Sequence, residues 1–139
     1  KPNIMGPAIN VAMAQRLVRK LCDNCKEGAL LSGKEKEVLS SHLVNLPAPY
    51  EKPNLDSATV WHEKGCDDCN KTGFKGRIGI FEVFLVDDAA ERLILTNPSE
   101  ADVREMAAKQ GMLTMQQDGI LKVLAGLTSW AEVERVVGE

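Results

Sequence analysis

The sequence predicts an α+β fold, mostly helical, and three observations lead there. All four cysteines fall in two Cys-x-x-Cys pairs, Cys22/Cys25 and Cys66/Cys69. Residues 78–86 (Ile-Gly-Ile-Phe-Glu-Val-Phe-Leu-Val) are rich in β-branched and aromatic side chains, as a strand covered on two sides would be. From Asp87 onward the chain is divided by capping residues and glycines at helical spacing. The expected arrangement is a subdomain over residues 1–86, with a helix, the four cysteines and one or two short strands, the last of them the buried strand that ends it. A four-helix C-terminal segment follows over 87–139.

Size and charge narrow the function classes. A chain of 139 residues has the size of one domain or two small lobes sharing a core. Its 44% hydrophobic and 27% charged residues exclude a disordered tail. A formal charge of -3 gives no global pull toward nucleic acid or acidic lipid, and six aromatics make a poor stacking platform. Arg16, Arg19 and Lys20 interrupt the best apolar stretch, so no membrane-spanning helix is expected. The opening Lys1-Pro2-Asn3-Ile4-Met5 has no signal-peptide core and reads as a cut-out fragment.

Each element has its own justification. Pro7 suits a first helical position, and Ile9, Met13, Leu17 and Leu21 recur at fourfold spacing, which predicts a helix over 8–21. Ser32 and Glu35 have capping-box spacing and open a second helix to about Val44. Residues 46–57 carry three prolines and read as an extended connector. Thr59-Val60-Trp61 is a candidate partner for the 78–86 strand. Asp87 caps the next helix and Asn97-Pro98 breaks it; Ser99 with Asp102 opens another, closed by Gly111. Thr114 opens a third that ends at Gly126, and Ser129 with Glu132 forms a capping box for the last.

The cysteines carry the strongest chemical signal. Two intervening residues let a tight turn aim both sulfurs at one point, and two such turns complete a tetrahedron of thiolates around Zn²⁺. Forty residues separate Cys25 from Cys66, so tertiary structure must bring the second pair back. Gly28 and Gly73, close after each pair, are candidates for bending the chain so that N–H groups face the sulfurs, and Lys20, Lys26 and Lys71 for offsetting the negative charge. Four protein thiolates leave no open coordination position, so the ion would be structural. The alternatives are four buried thiols, disulfides or a redox pair; a helix before Cys22 is the wrong context for a thioredoxin-like site. His42 and His62 are left over; His62, four residues before Cys66, is near enough to replace a ligand, but a solvated or hydrogen-bonded surface imidazole is the expected state.

Two glycine-rich stretches are decoys. Gly28-Ala-Leu-Leu-Ser-Gly33-Lys34-Glu35 matches a phosphate loop except at its last position, where Glu35 would set a carboxylate against phosphate. Gly73-Phe-Lys-Gly76-Arg77-Ile-Gly79 leads into a strand and is no dinucleotide fingerprint. Arg77, held just before that strand, can reach another group's phosphate or carboxylate, or form an ordinary surface ion pair.

Ala14-Gln15-Arg16-Leu17-Val18-Arg19-Lys20-Leu21-Cys22, then Cys66-Asp67-Asp68-Cys69 and Gly73-Phe74-Lys75-Gly76-Arg77-Ile78-Gly79-Ile80-Phe81-Glu82-Val83, resemble the C-terminal region of type II secretion and type IV pilus assembly ATPases. Gly111-Met112, Asp118-Gly119, Lys122-Val123, Gly126-Leu127-Thr128-Ser129 and Glu132-Val133 continue the resemblance, which leaves out only residues 28–60. It implies a hexameric cytoplasmic motor docked on an inner-membrane platform protein, with a tetracysteine subdomain that binds zinc after the ATPase core. ATP and Mg²⁺ would belong to that core, whose P-loop and metal motifs do not occur in this sequence. By the same resemblance Arg77 matches the arginine of a Gly-Arg-x-Gly segment near the nucleotide and the subunit interface.

The resulting expectation is a non-catalytic zinc module that couples an ATPase core to neighbouring subunits or to the platform protein, with no nucleic-acid contact. The runner-up is a zinc-ribbon nucleic-acid binder using Arg16, Arg19, Lys20, Lys71, Lys75 and Arg77, against which Asp67-Asp68 in the second knuckle argues. A thiol oxidoreductase is third.

Overall fold

The structure, a computed structural model, describes residues 11–47 and 50–138. In chain order these form β1 (Val11–Leu21), β2 (Glu27–Leu30), α1 (Gly33–His42), β3 (Thr59–His62), a 3-10 turn (Asp67–Cys69) and β4 (Phe74–Leu85). Helices α2 (Asp88–Leu95), α3 (Glu100–Lys109), α4 (Met115–Leu124) and α5 (Trp130–Val137) follow. The α+β class holds, with five helices and antiparallel strands among the described residues.

The first element corrects the sequence reading. Residues 11–21 are an eleven-residue strand, not a helix; Pro7 and Ile9, which were to start the helix, lie outside the described residues. A fourfold spacing is compatible with a helical period of 3.6 and equally with a strand period of 2, so Met13, Leu17 and Leu21 can share a face in either. Partnership decides between them. β1 pairs antiparallel with β4 along its whole length, from Val11 opposite Leu85 to Arg19 opposite Arg77, with a bulge before Leu21 meets Phe74. The cationic residues assigned to a helix C-terminus therefore lie along a strand.

The strand count is corrected as well. Instead of one or two short strands there are four among the described residues, in two separate pairs, β1 with β4 and β2 with β3. Thr59–His62 does not accompany the 78–86 strand; it pairs with Glu27–Leu30, which the sequence reading had left without structure. Gly28 permits this pairing, since a Cβ there would sit 2.9 Å from Thr59 Cγ2 and 3.1 Å from the Trp61 ring. β4 is also not covered on both faces. Ile80 is fully buried, whereas Phe81, Val83 and Leu85 on the alternate face are exposed.

The core lies on the buried face of the β1–β4 pair. Val18 and Ile80 meet Leu39 and Leu43 of α1 and its exit, Val60 of β3, Ile120 and Val123 of α4, and Val133 of α5. Residues 28–60 thus contribute directly to the core through Leu31, Leu39, Leu43, Leu55 and Val60. α4 and α5 pack together closely because Gly119 has no side chain to strike Val133.

Helix ends follow their caps. Ser32, Ser99 and Thr114 make reciprocal capping boxes with Glu35, Asp102 and Gln117, and Asp87 accepts the Ala90 N–H. Gly111 and Gly126, both at positive φ, close α3 and α4. At α5 the expected box is only half present. Ser129 accepts the Glu132 N–H, but the Glu132 carboxylate turns away to Arg19 and Arg135.

Candidate metal centre

The two Cys-x-x-Cys turns face one another. Cys22 and Cys25 follow β1, where the Lys26 N–H closes a turn on the Cys22 carbonyl. Cys66 caps the 3-10 turn and Cys69 ends it, and the Lys71 N–H closes the turn on the Cys66 carbonyl at 2.8 Å. Asn70 and Lys71 take left-handed backbone conformations there, and a bond from Cys22 N–H to the Gly73 carbonyl at 3.0 Å ties the two knuckles together.

All four sulfurs lie within 4.8 Å of one another. Cys22 Sγ is 3.8 Å from Cys66 Sγ, Cys25 Sγ is 3.9 Å from Cys69 Sγ, and Cys66 Sγ is 3.7 Å from Cys69 Sγ. None is in a disulfide. A tetrahedron with metal–sulfur bonds of about 2.3 Å has edges of about 3.8 Å, so the quartet fits a zinc-sized ion held by four thiolates. Such a donor set would supply architecture only, because no coordination position is left for substrate or water.

Backbone and amide donors already point at the sulfurs. Gly65 N–H donates to Cys25 Sγ at 3.3 Å, Cys66 N–H and Gly73 N–H donate to Cys69 Sγ at 3.3 and 3.2 Å, and Asn24 Nδ2 reaches Cys66 Sγ at 3.4 Å. Burial would raise the Cys69 thiol, but the Cys66 and Gly73 N–H groups, with S–H donation from Cys66 and Cys25, bring it down to about 6. For Cys25 the Gly65 N–H works downward, yet burial and donation of its own proton to the other sulfurs outweigh it and push the thiol up to about 11. The N–H donors thus favour the Cys69 thiolate, the form a metal ion would bind.

Gly73 performs the bending role expected of it, at φ +83° with its N–H on sulfur. Gly28 does not; Gly65, at φ +113°, takes that part for the first knuckle. Gly65 and Asn24 were missed by sequence reasoning, although a glycine immediately before Cys66 and an amide inside the first turn were legible signals. His42 and His62 stay outside the quartet: His42 packs against Trp130, and His62 ends β3.

The nearby lysines belong to aspartates. Lys20 and Lys26 pair with Asp23, Lys71 with Asp67 and Lys75 with Asp68. Lys26 also donates to the Gly126 carbonyl at 2.9 Å and lies 5.0 Å over the Trp61 ring, which fastens the first knuckle to the exit of α4. Leu21 N–H to the Leu127 carbonyl and Thr128 Oγ1 to the Arg19 carbonyl add two further ties. Arg19 is bound to Glu132 at 2.6 Å and stacks 4.2 Å over Phe74. Of the six basic residues considered for a nucleic-acid surface, four are therefore engaged in ion pairs. Arg77 is exposed on β4 across from Arg19. No helix among the described residues is long and apolar enough to cross a membrane.

A tetracysteine knuckle built onto the end of a strand pair and fastened to a helical segment defines a protein module organised around four clustered thiols that could hold a metal ion. Comparison with known families makes the class specific. The model of the family described as "Type II/IV secretion system protein" matches residues 1–135, and the chain belongs to that family. Among its relatives, the type IV pilus assembly ATPase PilB of Pseudomonas aeruginosa is 36% identical over 132 residues, covering 95% of this chain and 22% of that protein. The type II secretion system protein E of Dickeya dadantii is 34% identical over 139 residues, 100% of this chain and 25% of that protein. PilB of Myxococcus xanthus is 31% identical over 133 residues, 96% of this chain and 22% of that protein. The chain spans roughly a quarter of the length of these relatives.

Proposed function

We propose that this chain is a non-catalytic module of a secretion or pilus-assembly ATPase, stabilised by a structural Zn²⁺ on Cys22, Cys25, Cys66 and Cys69. Its role is to couple the ATPase core of the same polypeptide to neighbouring subunits of a hexamer or to an inner-membrane platform protein, on the cytoplasmic side. The observation that carries the reading is the convergence of four sulfurs from positions 44 residues apart, in a chain whose family match spans 1–135. β1 leads into one knuckle and β4 leaves the other; the Cys22–Gly73 bond joins the two, and the Lys26 and Leu21 bonds tie the first to the α4–α5 turn. A displacement of the strand pair would then move the knuckle and the last two helices together. Arg77, exposed on β4, is assigned to contact the nucleotide or the adjacent subunit of the motor.

The test has two parts. Metal analysis of the purified chain should find one zinc per chain, with loss of ordered structure on chelation. ATP hydrolysis should be absent from this chain and present in the longer polypeptide that contains it, and Arg77→Ala in that polypeptide should lower the turnover. A folded chain without metal, or hydrolysis by the chain alone, would overturn the reading.

A further inference from the structure

The two knuckles of the cysteine quartet are held in different ways. The first is anchored by bonds that involve no sulfur: Leu21 N–H to the Leu127 carbonyl, Lys26 Nζ to the Gly126 carbonyl and Thr128 Oγ1 to the Arg19 carbonyl, each at 2.9 Å. The second depends on sulfur. Gly65 N–H and Gly73 N–H, at its two ends, donate to Cys25 Sγ and Cys69 Sγ, and the Cys22 N–H bond to the Gly73 carbonyl is its backbone tie to the first knuckle. The second knuckle is also tightly wound, with Gly65, Asn70, Lys71 and Gly73 at φ of 113°, 55°, 65° and 83°. Consecutive left-handed residues that carry side chains persist only where their surroundings over-determine them. Here the sulfur cluster supplies that constraint, since residues 65–73 contain two of the four thiols and bond to a third.

Access differs within each knuckle. Cys22 and Cys69 are 1% and 4% exposed, whereas Cys25 and Cys66 are half-buried, so an oxidant arriving from solvent meets Cys25 or Cys66. At Cys66 a second thiol stands on the same turn: Cys69 Sγ lies 3.7 Å away, and Cys66 N–H donates to it. A disulfide needs its sulfurs about 2 Å apart. Side-chain rotation closes that gap within one turn. A bond across the knuckles, from Cys22 to Cys66 at 3.8 Å or from Cys25 to Cys69 at 3.9 Å, would instead draw two docked backbones together.

We propose that Cys66 and Cys69 form a reversible oxidation site for peroxides, and that their oxidation frees the second knuckle while the first stays anchored. This goes beyond the structural-metal reading and rests on it only for the ion that leaves. The Cys66 thiolate attacks one oxygen of hydrogen peroxide; the O–O bond breaks, hydroxide leaves and a sulfenic acid remains on Sγ. The Cys69 thiolate then attacks that sulfur, the S–O bond breaks and a second hydroxide leaves as the S–S bond forms. Two thiolates have given up two electrons, the peroxide has taken them, and two protons from solvent turn both hydroxides into water. Cys22 and Cys25 alone make half a tetrahedron, too few ligands to retain a structural ion. Gly73 N–H loses its thiolate acceptor in the same step, whereas the Leu21, Lys26 and Thr128 bonds involve no sulfur and persist.

A time course of hydrogen peroxide on the purified, zinc-supplemented chain tests this. Released zinc is read with a chromogenic chelator, and differential alkylation with peptide mapping locates the disulfide. Met13, 62% exposed, is the internal reference for unselective oxidation. One zinc per chain should be released and a Cys66–Cys69 disulfide should form before Met13 sulfoxide accumulates, with Cys22 and Cys25 still open to alkylation. A 1,3-dicarbonyl trap for sulfenic acids should label Cys66. Amides of residues 65–73 should then exchange about 100-fold faster or more, while Leu21 N–H keeps its protection, and a dithiol with added zinc should restore the starting state. A disulfide across the knuckles, a disulfide between Cys22 and Cys25, or a trap label on Cys25 in place of Cys66 would overturn the proposal. So would a Cys66–Cys69 disulfide that leaves the exchange of residues 65–73 unchanged. A chain that binds no zinc yet forms the Cys66–Cys69 disulfide refutes the metal reading alone. A zinc-bearing chain whose four thiols outlast Met13 refutes the oxidation site alone.

Discussion

Replacing Glu132 by glutamine removes the charge that binds the last helix to the first strand. The Glu132 side chain is wholly buried, and its two oxygens accept from Arg19 Nε at 2.6 Å and Arg135 Nε at 2.5 Å. A hydrogen bond to a charged group contributes about 1.5–3 kcal/mol when buried. Here the arginine side chains are 49% and 58% exposed and can rehydrate, so the pair of bonds is discounted to a loss of about 2 kcal/mol. For a domain of this size that corresponds to a melting temperature lower by roughly 6 °C. The loss should depend on pH with a definite sign. Burial pushes the Glu132 carboxyl up, but hydrogen bonds from Arg19 and Arg135 outweigh it and hold the group below its ordinary value of 4.5. The stabilisation is therefore complete above pH 4.5 and is lost as pH falls through the lower folded-state value. Urea unfolding of the parent and Glu132→Gln proteins at pH 7 and at stepped acid pH should show a gap that narrows on acidification. A gap of under about 0.5 kcal/mol at pH 7, or one that widens toward acid, would refute the reasoning.

Three further outcomes follow from the same contacts. Cys69→Ser should abolish stoichiometric zinc and loosen residues 63–73, read by metal analysis and amide exchange, while α3 keeps its protection because the bonds that fasten the first knuckle run to Gly126 and Leu127 at the exit of α4. Gly73→Ala would set a Cβ 2.4 Å from Glu63 Cβ at a φ of +83°, so zinc affinity, read by competition with a chelator, should fall about 10- to 100-fold. Gly119→Ala would bring a Cβ within 2.6 Å of Val133 Cγ1 in the α4–α5 contact; overpacking of about 1–3 kcal/mol should exceed the helix-propensity gain of about 1 kcal/mol, giving a lower melting temperature.

Much of this protein was legible as local chemistry. A Cys-x-x-Cys spacing, a serine three residues before an acid and a glycine after an apolar stripe each act within one turn of chain, so the cysteine quartet, the caps of α1 and α3 and the glycine ends of α3 and α4 could be read without coordinates. Residues 11–21 show the boundary of that legibility. Their fourfold spacing satisfies two periodicities at once, and only pairing with β4, more than fifty residues later in the chain, makes one of them right.

The same distinction separates the donors at the metal site and the fate of Glu132. That four thiols would meet was written in their number and spacing; that Gly65, Asn24 and Gly73 would aim donors at them depended on how two distant turns dock. Glu132 had the spacing of a capping residue, but a carboxylate goes where the strongest donors are, and folding places two guanidinium groups beside it. The sequence by itself determined the two Cys-x-x-Cys turns and the helix punctuation, because those depend on neighbours along the chain. Only the tertiary structure decided strand against helix and partner against partner, because those depend on groups that become neighbours once the chain has closed on itself.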